Sequence, residues 1–203
     1  MSKIMYTEVL RTTNITEYNK KEQEFIELDD KTKSMLTTYI RKVTFHSQTA
    51  EFPADYSIVM EDMEDVFIEK KEKEINVVTK ELIPITKEQA NAILDGDYEF
   101  LKESSDKNLR DFYDCIINQQ LVPAYRKEFT RKTFHQNKFL DIIFDLAMSR
   151  KPYKTNDFFA PKGFTFNTNY TNLRMSIRHN LSVSKPMEQL LAFEKELSAN
   201  SEL

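Results

Sequence analysis

The sequence predicts an α+β fold in which an antiparallel sheet is accompanied by flanking helices. The run VFIEKKEKEINVVTKEL, from Val66 to Leu82, has two strand-like halves around a polar turn. Two later segments begin with helix-capping residues and continue with apolar residues at helical spacing. A chain of 203 residues with 40% hydrophobic content can bury one core, so we expect a single domain over residues 1–203.

The sequence of this hairpin does not decide whether its charged side chains point toward or away from the interior of the sheet. Val66 and Ile68 share one face of its first strand, and Glu69 and Lys71 share the other. Charged side chains on the inner face of a sheet are costly unless water or an ion meets them. If Glu69, Lys71 and Lys80 point inward, they line a wet cavity; if they point outward, they form a solvated face. The pattern alone favours the solvated face, because lysine-rich antiparallel hairpins are common.

Composition excludes several functional classes. A net charge of −4 argues against a chain that binds nucleic acid as a whole. Gly96 and Gly163 are the only glycines, which excludes a glycine-rich phosphate loop and a dinucleotide-binding fingerprint. The single cysteine, Cys115, excludes a disulfide framework and a cysteine metal cage, and we expect a buried thiol. The histidines share no ligand spacing, so we expect surface or loop positions for His46, His135 and His179.

Nothing in the sequence predicts secretion or a membrane span. The N-terminal residues lack the apolar core of a signal peptide, and no run of 18 apolar residues occurs. A reducing, cytoplasmic environment therefore fits the chain best.

The region before the hairpin is predicted to hold one helix and short strands. Residues 1–20 are polar, and we expect them to be flexible. Asp29 or Asp30 can cap a helix that runs to about Lys42, because the apolar residues there recur at helical spacing. We expect strands at residues 24–28 and 55–60, a loop at residues 44–53, and an acidic, solvated turn at residues 61–65.

The region after the hairpin is predicted to mix helices and strands. Thr86 caps a helix through Leu94, since Gln89 completes a capping box and Gly96 can end the helix. A capping residue at 104–106 precedes an amphipathic helix over residues 109–121. The remaining expected elements are a strand at 124–134, a helix at 137–148, a loop at 151–163, strands at 164–166 and 173–177, and a helix at 187–197.

Five motifs occur in a fixed order along the chain. They are VFIEKKEKEINVVTKELIPIT from Val66, ITKEQANAILDGDYEFL from Ile85, NLRDFY from Asn108, FTRKTF from Phe129 and NLRMSIRHNL from Asn172. The set resembles the VTC domain, the polyphosphate polymerase-like branch of the triphosphate tunnel or CYTH-like superfamily. The family's motifs read VFLELKRK…GVVYKRRVPLT, a capped helix with a GDYxFL turn, LLREFY, YTRKTF and NVRITFDxNI. The best-matching core covers residues 66–134.

The resemblance implies that the sheet curls into a tunnel barrel whose bore is lined by lysine, arginine and glutamate. In the family, basic side chains hold a phosphate chain while a nucleotide γ-phosphate is transferred to a growing polyphosphate, which depends on positioning and charge stabilisation. The implied partners are polyphosphate or a nucleoside triphosphate, with Mn²⁺ or Mg²⁺ as cofactor. By the match, the phosphate-binding candidates are Lys71, Lys80, Arg131 and Arg174, and Glu69 is the candidate metal ligand.

The chain departs from the family pattern, and the departures predict a partial tunnel. Between Tyr56 and Val66 it has only SIVMEDMED, which is acidic and too short for the strands that the family carries there. Arg178 stands where the family has aspartate, and the family's closing strand with its metal-binding acid is absent. Residues 136–170 are an insertion, whose predicted helix at 137–148 could close the sheet.

Two classes of function remain open from the sequence. In the first, the chain binds polyphosphate or nucleotide phosphates in a basic groove, with phosphotransferase activity if it holds a metal. In the second, it is a non-catalytic interaction module or a degenerate copy of the family without phosphate binding. RNA binding by the basic run at residues 126–132, which is interleaved with Phe129, is disfavoured by the net negative charge.

Overall fold

The computed structural model describes residues 2–13, 35–49, 55–74, 77–135, 140–155, 157–161 and 171–178. These residues form eight strands and three helices, and all three helices lie between the fifth and the sixth strand along the chain. The elements are β1 (Ser2–Thr13), β2 (Met35–Ser47), β3 (Asp55–Glu61), β4 (Asp65–Glu74), β5 (Val77–Ile85), α1 (Lys87–Asp95), α2 (Glu99–Lys102), α3 (Lys107–Gln119), β6 (Leu121–His135), β7 (Leu140–Pro152) and β8 (Thr171–Arg178).

The eight described strands close into a barrel in the order β1-β5-β4-β3-β2-β6-β7-β8. Every pairing is antiparallel, and β1 closes the ring because it pairs with β5 (Met5 opposite Thr79) and with β8 (Val9 opposite Met175). The predicted α+β class, with an antiparallel sheet curled into a tunnel and flanking helices, is confirmed. The ring is closed by strands, so the expectation of a sheet left open by missing strands does not hold for the described residues.

Two predicted helices are strands, and these predictions were wrong. The helix expected up to Lys42 is β2 from Met35 onward, and the helix expected at 137–148 is β7 from Leu140 onward. In both segments the apolar spacing fits a helix, but β2 pairs with β3 and β6, and β7 pairs with β6 and β8. Pairing between segments distant in sequence overrides a local pattern of this kind.

Pairing between distant segments also explains the other differences between the predicted and the observed elements. Residues 2–13 were expected to be flexible but form β1, and the loops expected at 44–53 and 151–163 begin with strand residues. The expected insertion at 136–170 contains β7, a full member of the barrel. The elements expected at 24–28, 164–166 and 187–197 lie outside the described residues.

Helices α1 and α3 confirm the sequence prediction closely. The Thr86 hydroxyl accepts from the Gln89 N–H, and the Gln89 side chain accepts from the Thr86 N–H, which completes the predicted capping box of α1. Gly96 ends α1 with φ of 90°, a left-handed conformation that glycine adopts without steric cost. Asp106 caps α3 by accepting from the Asn108 N–H. Within the described residues, no helix has the length and apolar character needed to cross a membrane.

The hydrophobic core lies between the outer face of the barrel and the helices. Ile58 and Ile68 point outward from β3 and β4 and are fully buried under α1 and α3. The Phe112 ring of α3 lies 4.8 Å from the Tyr56 ring and 5.8 Å from the Phe45 ring, centroid to centroid. Because apolar side chains occupy this outer layer, the alternate positions of the same strands are left to face the bore.

Replacing Phe112 by alanine is expected to lower the free energy of unfolding by about 3–5 kcal/mol, since a fully buried aromatic ring is lost and a cavity remains. Urea unfolding followed by far-UV circular dichroism measures the change. Ile117→Ala is the matched control, because Ile117 lies on the same helix but is 52% exposed. Equal destabilisation by the two substitutions would show that α3 is not anchored through Phe112.

Candidate functional site

The bore of the barrel contains a cavity of about 220 Å³ to which β1 to β7 all contribute side chains. The lining is mostly polar and charged, with a few apolar residues between the charges. The lining residues are Tyr6, Ile40, Lys42, Asp55, Val59, Glu61, Glu69, Lys71, Lys80, Lys127, Phe129, Arg131 and Asp145. Five bases and four acids therefore share one cavity.

Two pairs of lysines lie directly opposite each other across neighbouring strands of this cavity. Lys71 of β4 is in register with Lys80 of β5, and Lys42 of β2 is in register with Lys127 of β6. Like charges at directly opposed positions of a sheet destabilise it. Two such pairs facing one cavity form an arrangement that an anion in the bore would stabilise.

Glu69 connects the two lysine pairs. Its Oε1 atom lies 2.5 Å from Lys42 Nζ, and its Oε2 atom lies 2.9 Å from Lys80 Nζ. The Glu69 side chain is only 7% exposed. Burial alone would raise the pKa of Glu69, but the two ammonium groups outweigh burial and hold that pKa well below its usual range. Glu69 is therefore a carboxylate with a cation on each oxygen.

Arg131 and Asp145 form a second fixed ion pair in the bore. Arg131 Nε lies 2.7 Å from Asp145 Oδ1, and one terminal nitrogen donates to Oδ2 at 2.9 Å, so the pair is bidentate. Asp145 is 3% exposed. Burial works against the charged form of Arg131, but Asp145 more than compensates and raises the pKa of the guanidinium above its ordinary value.

The acids of the bore are a poor match to a divalent metal site. Among the residues that the structure describes, no three potential ligand side chains converge on one point. Both oxygens of Glu69 already contact lysines, and both oxygens of Asp145 contact Arg131. A divalent ion at Glu69 or Asp145 would therefore have to displace the lysines or the arginine that these carboxylates already contact.

Four of the five predicted site residues lie in this one cavity, namely Glu69, Lys71, Lys80 and Arg131. Glu69, Lys71 and Lys80 of the hairpin thus point inward, and the solvated-face interpretation was wrong for these three. Arg174 is on β8, in register with Leu10 of β1 and Ile143 of β7. The structure does not describe the Arg174 side chain, so phosphate binding by Arg174 stays a prediction.

Sequence reasoning missed Lys42, Lys127 and Asp145 as members of the site. Lys42 was assigned to the end of a helix, although TTYIRKVTF around it is rich in β-branched and aromatic residues, a signal for a strand. Asp145 was likewise hidden in a predicted helix. Lys127 was noticed only as part of a basic run.

That basic run is divided between two faces of β6. Lys127 and Arg131 face the bore, whereas Arg126 is buried on the outer face. There Arg126 pairs with Glu128 at 2.9 Å and with Asp157, and Arg41 pairs with the same glutamate at 2.7 Å. Arg126 is therefore committed to an internal ion cluster, which removes it from the surface that an RNA strand would need.

A closed antiparallel barrel with a charged bore and helices on its outer face defines a tunnel-type protein. The family model for the VTC domain matches residues 3–194, and the chain belongs to the VTC domain family. A search of curated proteins found no significant match.

Solved structures share this fold at low identity. A Hippeastrum protein described as a candidate adenylyl cyclase with dominant triphosphatase activity is 12% identical, with a TM-score of 0.60 over 96% of this chain and 88% of that chain. A candidate adenylate cyclase from Bacillus halodurans is 12% identical, with a TM-score of 0.57 over 99% and 92%. The Mimivirus capping enzyme triphosphatase is 11% identical, with a TM-score of 0.55 over 97% and 89%. At this identity the likeness to these proteins is one of fold.

Proposed function

We propose that this protein binds linear phosphate chains, either polyphosphate or the phosphates of a nucleotide, inside its tunnel. The observation that carries the proposal is that two cross-strand lysine pairs face one cavity. These pairs are Lys71 with Lys80 and Lys42 with Lys127. A phosphate chain carries repeated negative charge along its length, so it can contact both pairs at once. Lysine is well suited to this role because its ammonium is a mobile point charge.

Arg131 contributes a different kind of contact to the proposed ligand. Its guanidinium is held in place by Asp145 and offers the planar, bidentate geometry that matches phosphate oxygens. Arg174 is the further candidate, on the strength of the family motif around it. Lys71, Lys80, Arg131 and Arg174 are thus the proposed phosphate-binding residues, and Lys42 and Lys127 join them.

Phosphoryl transfer is the enzymatic form of the proposal. The family resemblance suggests transfer from a nucleoside triphosphate to polyphosphate, and triphosphatase descriptions among proteins of this fold suggest hydrolysis. Incubation with ATP and Mn²⁺ or Mg²⁺, followed by gel detection of polyphosphate and assay of released orthophosphate, distinguishes the two. Phosphate binding without either product would indicate a protein that binds phosphate chains without transferring or hydrolysing them.

Replacing Lys71 by methionine is expected to weaken tripolyphosphate binding about tenfold or more, because one charge-assisted contact is worth roughly 1.5–3 kcal/mol. Isothermal titration calorimetry at two salt concentrations measures the effect. Lys70→Met is the matched control, since Lys70 is the neighbouring residue of β4 but pairs with Glu72 at 2.7 Å and is absent from the cavity lining.

The alternative, a module that does not bind phosphate, makes the opposite prediction. In that case Arg131→Ala and Arg174→Ala leave polyanion affinity unchanged, and no phosphate chain binds the wild-type protein. We place the protein in the cytoplasm, where nucleoside triphosphates are available and a single unpaired cysteine stays reduced.

A further inference from the structure

Glu69 occupies the position in the bore where the two lysine pairs meet. Along the sheet, Lys80 is on the strand next to Glu69, whereas Lys42 is two strands away in the other direction. Each carboxylate oxygen contacts one of these lysines, at 2.5 and 2.9 Å. The carboxylate therefore bridges the two halves of the cationic lining and meets the same ammonium groups that a phosphate would need.

We infer that Glu69 is an internal counter-ion that competes with phosphate for Lys42 and Lys80 and so makes the tunnel select phosphate chains over single phosphates. This inference rests on the proposed function. Glu69 is accordingly a specificity-determining residue rather than a metal ligand, because a metal at its oxygens would have to displace both ammonium groups.

The selection follows from what happens to Glu69 when a ligand enters. An orthophosphate that takes both lysines leaves a buried carboxylate without these two cations and beside a second anion. Such an uncompensated buried charge is strongly unfavourable. A small ligand with few other contacts cannot offset that cost.

A ligand with several linked phosphates can avoid this cost. Lys71 lies directly opposite Lys80, and Lys127 lies directly opposite Lys42, so each lysine that Glu69 holds has a second lysine across from it. A chain of phosphates can engage Lys71 and Lys127 and leave at least one ion pair of Glu69 in place. The penalty set by Glu69 therefore falls mainly on short ligands.

The test compares the affinities of orthophosphate, pyrophosphate and tripolyphosphate by calorimetry, without divalent metal, for wild-type protein and Glu69→Gln. We expect Glu69→Gln to bind orthophosphate about tenfold more tightly or better, since two charge-assisted contacts become available without competition. Tripolyphosphate affinity should rise much less, so that the preference for the longer chain shrinks by about tenfold.

Glu72→Gln is the matched control for this experiment. It makes the same chemical change on the same strand, but Glu72 is 50% exposed and pairs with Lys70 away from the cavity. We expect its preference for the longer chain to equal that of the wild type. A shift of the same size in Glu72→Gln would overturn the inference, because it would reflect net charge alone.

A second variant covers the case in which Glu69→Gln does not fold. Glu69→Asp keeps the charge, but its shorter side chain cannot hold both lysines at these distances, so an intermediate preference is expected. If wild-type protein binds tripolyphosphate and folded Glu69 variants keep the wild-type preference, the inference is wrong while the proposed function stands. If the wild type binds no phosphate at all, the proposed function itself fails.

Discussion

Replacing Lys42 and Lys80 together by methionine is expected to weaken tripolyphosphate binding about a hundredfold or more and to make stability rise in mild acid. Both lysines line the cavity, and each contact with a phosphate oxygen is worth roughly 1.5–3 kcal/mol. Losing two such contacts weakens binding by about a hundredfold to ten-thousandfold. Calorimetric titration measures this loss.

The pH effect follows from the position of Glu69 between the two lysines. In the wild type, the folded-state pKa of Glu69 lies below its ordinary value of 4.5, so its contribution to stability is present above that value and is lost as the pH falls through the folded pKa. Without the lysines, burial dominates and raises the folded pKa of Glu69 above 4.5. The variant should therefore gain stability as the pH falls from 7 to 5, because protonation then favours the folded state.

Urea unfolding at pH 7 and pH 5 tests this gain in stability. The difference in free energy of unfolding between the double variant and the wild type is expected to be largest at pH 7 and smaller at pH 5. Lys70→Met on the outer face serves as the control and should follow the wild-type curve. A constant difference between the double variant and the wild type at both pH values would contradict the role assigned to Glu69.

Replacing Arg131 by methionine is expected to lower the free energy of unfolding by about 3–5 kcal/mol, the usual cost of leaving one member of a buried ion pair alone. The remaining Asp145 is 3% exposed and would keep an uncompensated charge in the bore. Chemical denaturation at neutral pH measures the change.

The double variant Arg131→Met with Asp145→Asn provides the internal check on this effect. It removes the orphaned charge, so it should recover a large part of the lost stability. Lys107→Met breaks the exposed pair with Asp111, and we expect it to cost less than about 1 kcal/mol. A double variant no more stable than Arg131→Met would show that the pair is not the source of the loss.

Local signals in the sequence predicted the elements that depend on local interactions. The capping box of Thr86 and Gln89, the glycine at the end of α1 and the amphipathic pattern of α3 each involve residues within a few positions of one another. The hairpin of β4 and β5 was predicted for the same reason. Four residues of the cavity lining followed from the family motifs around this hairpin and on β6.

The strands that close the barrel were not predictable in this way. Nothing within β1 indicates that it pairs with β5 on one side and with β8, far away in sequence, on the other. The apolar spacings in β2 and β7 match a helix as well as a strand, and only their partners on both sides decide between the two. Lys42 and Asp145 were missed because their strands were missed.

The sequence by itself determined the family, the α+β class, the helices with their caps and the basic residues worth examining. Only the tertiary structure decided that these residues face inward, that Lys42 and Lys127 join them, and that Glu69 and Asp145 already neutralise part of their charge. The physical reason is that alternation along a strand defines two faces but does not say which one is enclosed. Where the helices cover β3 and β4, the outer face takes the apolar residues, and charged residues at the alternate positions of these strands face the bore.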